Sequence, residues 1–194
     1  MRKRVFLLFA SILLISCKEK LPVVEDFGGV HYSLVNQKNE NVGFPDFVKG
    51  KLVVINYIFT NCPDICPLGT NNLRLIQERL KKEKINNVEF VSLSFDPEFD
   101  TPEVLAKFAG IRSLDLRNWT FLTGDKSVTD AVIKKAGVLA VVGDSTVFKD
   151  GRKIFYYIHT DRIQLIDADA RIRKNYKGSE INIDEIINDI KNLG

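Results

Sequence analysis

The apolar residues of this chain fall into short unbroken runs, separated by stretches in which they recur every third or fourth position. Leu52 to Phe59 and Val88 to Phe95 are runs of the first kind, and predict strands covered on both faces. Between them, Leu68, Leu73, Ile76 and Leu80 form the stripe of a helix over 68–84. After the second run, Asp100 or Thr101 caps a helix with Pro102 and Glu103 in its first turn, ending near Ile111. Trp119 to Leu122 is a short strand, and Ser127 to Ala136 a helix stopped by Gly137. Ile163 to Asp167 and Arg171 to Tyr176 pair through a turn at Asp169-Ala170. Ile183, Ile186, Ile187 and Ile190 mark a final helix. An opening hairpin runs from Val30 to Val35, turns over Asn36-Gln37-Lys38-Asn39, and returns from Glu40 to Phe44. Val138 to Phe148 is largely apolar, but Gly143 and Asp144 break it and no period assigns it. Lys149-Asp150-Gly151-Arg152 is a turn, followed by the segment from Lys153 to His159.

This order, βα-βα-βα-ββα, predicts an α/β protein with a central mixed sheet flanked by helices. It is a thioredoxin-like order with an extra N-terminal hairpin. The first sixteen residues stand apart. Met1 to Ser16 opens with Arg2, Lys3 and Arg4, continues apolar or small from Val5 to Ile15, and reads as an export signal too short to span a bilayer. Leu14-Ile15-Ser16-Cys17 resembles the lipobox of bacterial lipoproteins, in which the cysteine is lipidated and becomes the first mature residue. The expected organisation is therefore a signal over 1–16, a lipidated Cys17 with a tether over 17–26, and one domain over 27–194. The localisation this implies is export, with a lipid anchor in a bacterial membrane.

Charge changes meaning once that leader is removed. The full chain has 28 basic and 25 acidic residues, a net charge of +3. Without Arg2, Lys3 and Arg4 the two signs balance, which leaves no electrostatic reason to expect nucleic acid. There are three cysteines in all: Cys17, Cys62 and Cys66. None remains for a structural disulfide framework, so the fold must rest on an ordinary core.

The chemistry gathers at Asn61-Cys62-Pro63-Asp64-Ile65-Cys66-Pro67, between the first buried strand and the helix after it. Cysteines four apart where a helix begins can face the same way, within reach of one metal ion or of each other. Pro67 suits the first helical turn, where a missing N–H costs nothing. A helix N-terminus is expected to lower both thiol pKa values. No phosphate loop, nucleophile–His–Asp arrangement or dinucleotide fingerprint is visible.

With its flanking strand, Phe59-Thr60-Asn61-Cys62-Pro63-Asp64-Ile65-Cys66-Pro67 resembles the signature of the Sco/SenC family, thioredoxin-fold proteins of cytochrome c oxidase assembly. Two further blocks match in order: Val91 to Glu103, like the family's strand and DPxxDTPE segment, and Ile158-His159-Thr160 followed by Gln164 to Asp167, like its histidine loop and next strand. The resemblance covers residues 27–194. It implies a copper site made by Cys62, Cys66 and His159, serving delivery to the CuA subunit of the oxidase or to another copper-site protein. Two positions depart from the family pattern: Ile158 stands where an acid usually precedes the histidine, and Asn61 where a histidine often precedes the first cysteine. Neither departure removes a ligand.

The implied ligands suit the metal. Copper(I) favours thiolates and copper(II) gains from imidazole, so two cysteines and one histidine serve both states, Cu(I) and Cu(II). A closed structural zinc site would want a fourth ligand. Without metal, in an exported compartment, Cys62 and Cys66 are expected to form a reversible disulfide. His31 reads as a surface residue of the opening hairpin, Asp64 as a loop hydrogen-bonding group, Asp96 as a turn residue and Asp100 as a helix cap. A non-enzymatic copper carrier is the leading expectation. A thiol–disulfide oxidoreductase using Cys62 and Cys66 to keep a partner's metal-site cysteines reduced is the alternative, and a thiol peroxidase a weaker third. Redox enzymes usually place two residues between such cysteines rather than three, which favours the metal.

Overall fold

The structure, a computed structural model, describes residues 21–63, 65–147 and 153–194. The export signal, Cys17, Asp64 and the turn at 149–152 lie outside the described residues. In chain order the elements are β1 (Glu25–Asp26), β2 (Tyr32–Asn36), β3 (Asn41–Phe44), β4 (Leu52–Ile58), α1 (Ile65–Lys82), β5 (Val88–Ser94) and α2 (Pro102–Ile111). They continue with β6 (Trp119–Thr123), α3 (Lys126–Lys135), β7 (Ala140–Val147), β8 (Lys153–His159), β9 (Ile163–Ile166), β10 (Arg171–Tyr176) and α4 (Ile183–Leu193).

Eight strands form one mixed sheet in the order β1-β10-β9-β4-β5-β6-β2-β3. The parallel pairs β4–β5 and β5–β6 are joined by crossovers through α1 and α2. Strand β9 runs antiparallel to β4, and β10 to β9. Every residue of β4 is buried, as its unbroken apolar run requires of a central strand. Helix α1 packs on β4 and β5 and beside α4, while α2 packs on β6 and α3 on β2. Trp119 lies within the core, stacked on Phe121 with centroids 5.7 Å apart. Its indole N–H donates to Ser92 Oγ at 3.0 Å, and that hydroxyl donates to Asn56 Oδ1 at 2.6 Å. These three buried polar side chains thus satisfy one another inside the sheet. This is the expected thioredoxin-like arrangement, with the β2–β3 hairpin attached to β6 through Val35–Thr123 and Asn36–Leu122.

Three local expectations are corrected, and one unassigned segment is placed. Helix α1 begins at Ile65, three residues before Leu68, because the first turn needs no intrahelical donors and so accommodates Pro67. Cys66 consequently lies inside that turn. Residues 21–26 do not behave as a tether. Val24 N–H donates to the Ile172 carbonyl at 2.8 Å, and β1 pairs with β10. Thr101, not Asp100, caps α2, its side chain accepting from Val104 N–H; Asp100 is fully buried instead. The broken segment at 138–148 contains β7, which pairs antiparallel with β8 as a separate two-stranded ribbon. The register shifts between Val142 and Ser145, so Gly143 and Asp144 sit at an irregularity rather than ending the strand.

Candidate metal centre

The centre is assembled from two places far apart in sequence. Strand β4 delivers the chain to a tight turn in which Cys62 N–H donates to the Phe59 carbonyl at 3.2 Å. Cys62 lies half-buried in that turn, and Cys66, in the first turn of α1, is buried. Strand β8 supplies His159 opposite Ala140 of β7. The Thr160 backbone N–H donates to the Leu139 carbonyl at 2.9 Å, and Leu139 N–H donates to Thr160 Oγ1 at 3.0 Å. Those bonds fix the ribbon's base beside the cysteine turn.

One ligating atom from each of Cys62, Cys66 and His159 lies within 4.8 Å of the others. Among the described residues these three form the group of cysteine, histidine and acidic side chains able to hold a metal ion. Cys66 Sγ is 4.0 Å from His159 Nε2. The other ring nitrogen, Nδ1, lies 3.3 Å from the Thr160 carbonyl. Because a carbonyl only accepts, Nδ1 carries the proton, and Nε2 presents its lone pair to the sulfurs. Aromatic rings hold the imidazole: the Phe59 and Phe95 centroids are 6.0 and 5.1 Å from it. Tyr157, two residues before His159, packs on the same pair at 5.0 and 5.2 Å. A ring packed against a pair of touching phenylalanines and tied at Nδ1 has little freedom to leave the site.

The electrostatics correct one expectation. The helix start does not make both thiols acidic. A hydrogen bond with Cys62 and burial push the Cys66 thiol well above its ordinary range, because both favour the neutral sulfur. A hydrogen bond with Cys62, in which the protonated ring donates to the sulfur, in turn raises the His159 pKa against the opposing effect of burial. Without a cation, then, the three groups share protons, and a metal ion would displace those protons as it bound.

The remaining residues singled out in the sequence lie elsewhere or act indirectly. His31 is exposed, and its Nδ1 hydrogen-bonds the Asp46 carboxylate at 2.5 Å. Asp96 hydrogen-bonds Tyr157, which places it behind the aromatic wall rather than among the ligands. Behind the histidine loop, Asp161 accepts from Ser179 N–H at 3.1 Å and from its hydroxyl at 2.5 Å. A side-chain carbon on Gly178 would sit 2.5 Å from Asp161 Oδ1, so that close approach depends on glycine. Nothing in the sequence pattern marks Phe59, Phe95 and Tyr157 as site residues, since there they are simply apolar positions in or just after strands.

A family model for SCO1/SenC proteins matches residues 24–194. The chain is similar to a SCO1/SenC family lipoprotein from Bacillus anthracis, with 32% identity and a TM-score of 0.73 over 87% of this chain and 95% of that one. It is similar to BsSco, a member of the Sco family of cytochrome c oxidase assembly proteins in which a disulfide switch has been identified; identity is 31% and TM-score 0.73, over 90% and 98% of the two chains. The copper-bound ScoI of Bradyrhizobium japonicum is similar at 28% identity and a TM-score of 0.70, over 86% of this chain and 98% of that one.

Proposed function

This chain belongs to the SCO1/SenC family, and from that premise we propose that it is a copper metallochaperone, held at a membrane by lipid on Cys17, that delivers copper to the CuA centre during cytochrome c oxidase assembly. One observation carries this reading: two thiols and an imidazole, 93 residues apart between Cys66 and His159, converge within 4.8 Å. The donor set fits copper in both oxidation states, because soft sulfurs hold copper(I) and the imidazole adds stability to copper(II). Cys66 is the more buried of the two cysteines. The three-ligand set leaves a position for an incoming ligand from a partner protein. The copper-bound relative and the oxidase-assembly relative support the cargo and the destination. The Bacillus anthracis lipoprotein supports the anchor.

The experiment separates the copper states. Replacing His159 with Ala should weaken copper(II) binding by more than about tenfold, roughly 1.4 kcal/mol, and leave most of the copper(I) affinity to the two sulfurs. Parallel competition titrations with each copper state measure this. Equal copper(II) affinity in the two proteins would remove His159 from the ligand set.

The hydrogen bond between Cys62 and Cys66 favours a second reading, in which the same pair reduces a partner's metal-site cysteines by disulfide exchange. That activity needs the thiols and their access rather than the imidazole. It would survive His159→Ala in a disulfide-reduction assay.

A further inference from the structure

Beneath the cysteine turn lies a carboxylate outside the group of three. Asp100 is fully buried, and the donors around it are uncharged. Its two oxygens lie 3.2 and 3.1 Å from Thr60 N. Oδ1 also accepts from Thr60 Oγ1 at 2.5 Å, and Oδ2 from Ser94 Oγ at 2.6 Å. Thr60 follows β4 by two residues and precedes Cys62 by two. Ser94 closes β5, and Thr101, the next residue after Asp100, caps α2. One carboxylate therefore joins the ends of two central strands to the start of a helix, directly under the turn that carries the first sulfur.

Burying an acid among neutral donors is costly, and an apolar side chain there would be cheaper for the fold alone. A carboxylate adds the capacity to accept from several donors at once with both oxygens. Of the hydrogen bonds it accepts, those from Thr60 act on the chain just before the sulfur. Thr60 has little room to turn while both its N–H and its hydroxyl are held. The Phe59-to-Cys62 turn then leaves the sulfur facing Cys66 and His159.

We propose that Asp100 is a positioning residue of this centre, fixing Thr60 and through it the approach of Cys62 Sγ to Cys66 Sγ. The proposal rests on the reading of Cys62, Cys66 and His159 as one working group, but its test needs no metal. The readout is the equilibrium between the dithiol and glutathione disulfide in the full chain. Each Cys62–Cys66 bond formed passes two electrons and two protons to one glutathione disulfide, which leaves as two glutathione thiols. Closing that bond requires the two sulfurs to meet, so the constant reports their mutual placement.

Asp100→Ala should lower that constant by about tenfold, the scale on which supporting groups tune a site. Asp100→Asn, which keeps an acceptor for Thr60 N–H, should recover most of the loss. Thr60→Val, which removes the hydroxyl and retains the N–H, should move the constant in the same direction by less. Val132→Ala, a truncation in the α3 core, should destabilise the protein and leave the constant unchanged. An Asp100→Ala protein with the parent constant, or an equal fall in Val132→Ala, would overturn the proposal. If Asp100→Ala fails to fold, an unchanged constant in Thr60→Val overturns it. Copper titration of the parent protein separately tests the carrier function, so the two readings fail independently.

Discussion

Cys62 and Cys66 look equivalent in the sequence and are chemically unlike in the structure. Cys66 is 3% exposed and its thiol is pushed upward by the Cys62 hydrogen bond and by burial, whereas Cys62 is half-buried. Iodoacetamide should therefore modify Cys62 first in the reduced, metal-free protein, and peptide mass spectrometry after a timed quench will show the order. The same shift has a stability consequence. An acid whose folded pKa is raised favours its neutral form in the fold, so its contribution is complete below the unfolded thiol value of about 8.5 and is lost as pH rises through the folded value. Urea unfolding of the reduced protein should show stability falling above about pH 8.5, and Cys66→Ser should flatten that fall. A parent curve that is flat from neutral to alkaline pH would contradict this assignment. None of this was legible in the sequence, where a helix N-terminus argued for acidic thiols at both positions. Burial and the sulfur–sulfur hydrogen bond outweigh it at Cys66.

Among the elements, β1 shows how a segment of two residues becomes structural. Arg173 donates to the Pro22 carbonyl at 3.2 Å, to the Leu21 carbonyl, and to Asp167 Oδ2 at 2.8 Å. Both charged side chains of that pair are nearly buried, at 10% and 7% exposure. Burial alone would raise the Asp167 pKa; Arg173 and Arg171 outweigh it and hold the carboxyl below its ordinary value. That contribution is present above the unfolded value of about 3.9 and is lost as pH falls through the folded value. Arg173→Met should cost about 3 kcal/mol, since it leaves a buried carboxylate with Arg171 alone and removes the donor to the Leu21 and Pro22 carbonyls. Denaturant unfolding at neutral pH measures the loss, and limited trypsin digestion after Lys20 should become faster. A change under about 0.5 kcal/mol would mean that Arg173 does not hold the edge. Periodicity could not reveal β1, because two residues carry no period. The ribbon of β7 and β8 was hidden differently, by the irregularity at Gly143 and Asp144.

For the molecule as a whole, the prediction concerns location. Among the described residues no helix is long and apolar enough to cross a membrane, so membrane attachment in this reading depends on Cys17. Several acyl chains on one residue would anchor durably where one chain is marginal. Cys17→Ser should leave the precursor unacylated, as intact mass will show, and move the protein out of the membrane fraction. Membrane retention of that variant after verified signal cleavage would count against the lipid anchor.

By itself the sequence determined the architecture and two-thirds of the centre. Unbroken runs such as Leu52 to Phe59 point to a buried strand, and the stripe through Leu73, Ile76 and Leu80 to a helical face, although Leu68, expected on that stripe, is exposed. Local periodicity is a short-range property, and it survives without knowing what packs on what. Cys62 and Cys66 were equally legible because their spacing is local too. His159 entered only through a family resemblance, since no local rule ties it to cysteines 93 and 97 positions away. Tertiary structure decided the rest: that β8 brings the imidazole 4.0 Å from a sulfur, that Phe59, Phe95 and Tyr157 wall it in, and that Asp100 turns inward while Thr101 takes the cap. These outcomes depend on burial and on distances between remote segments, which exist only once the sheet has brought the ends of its strands together.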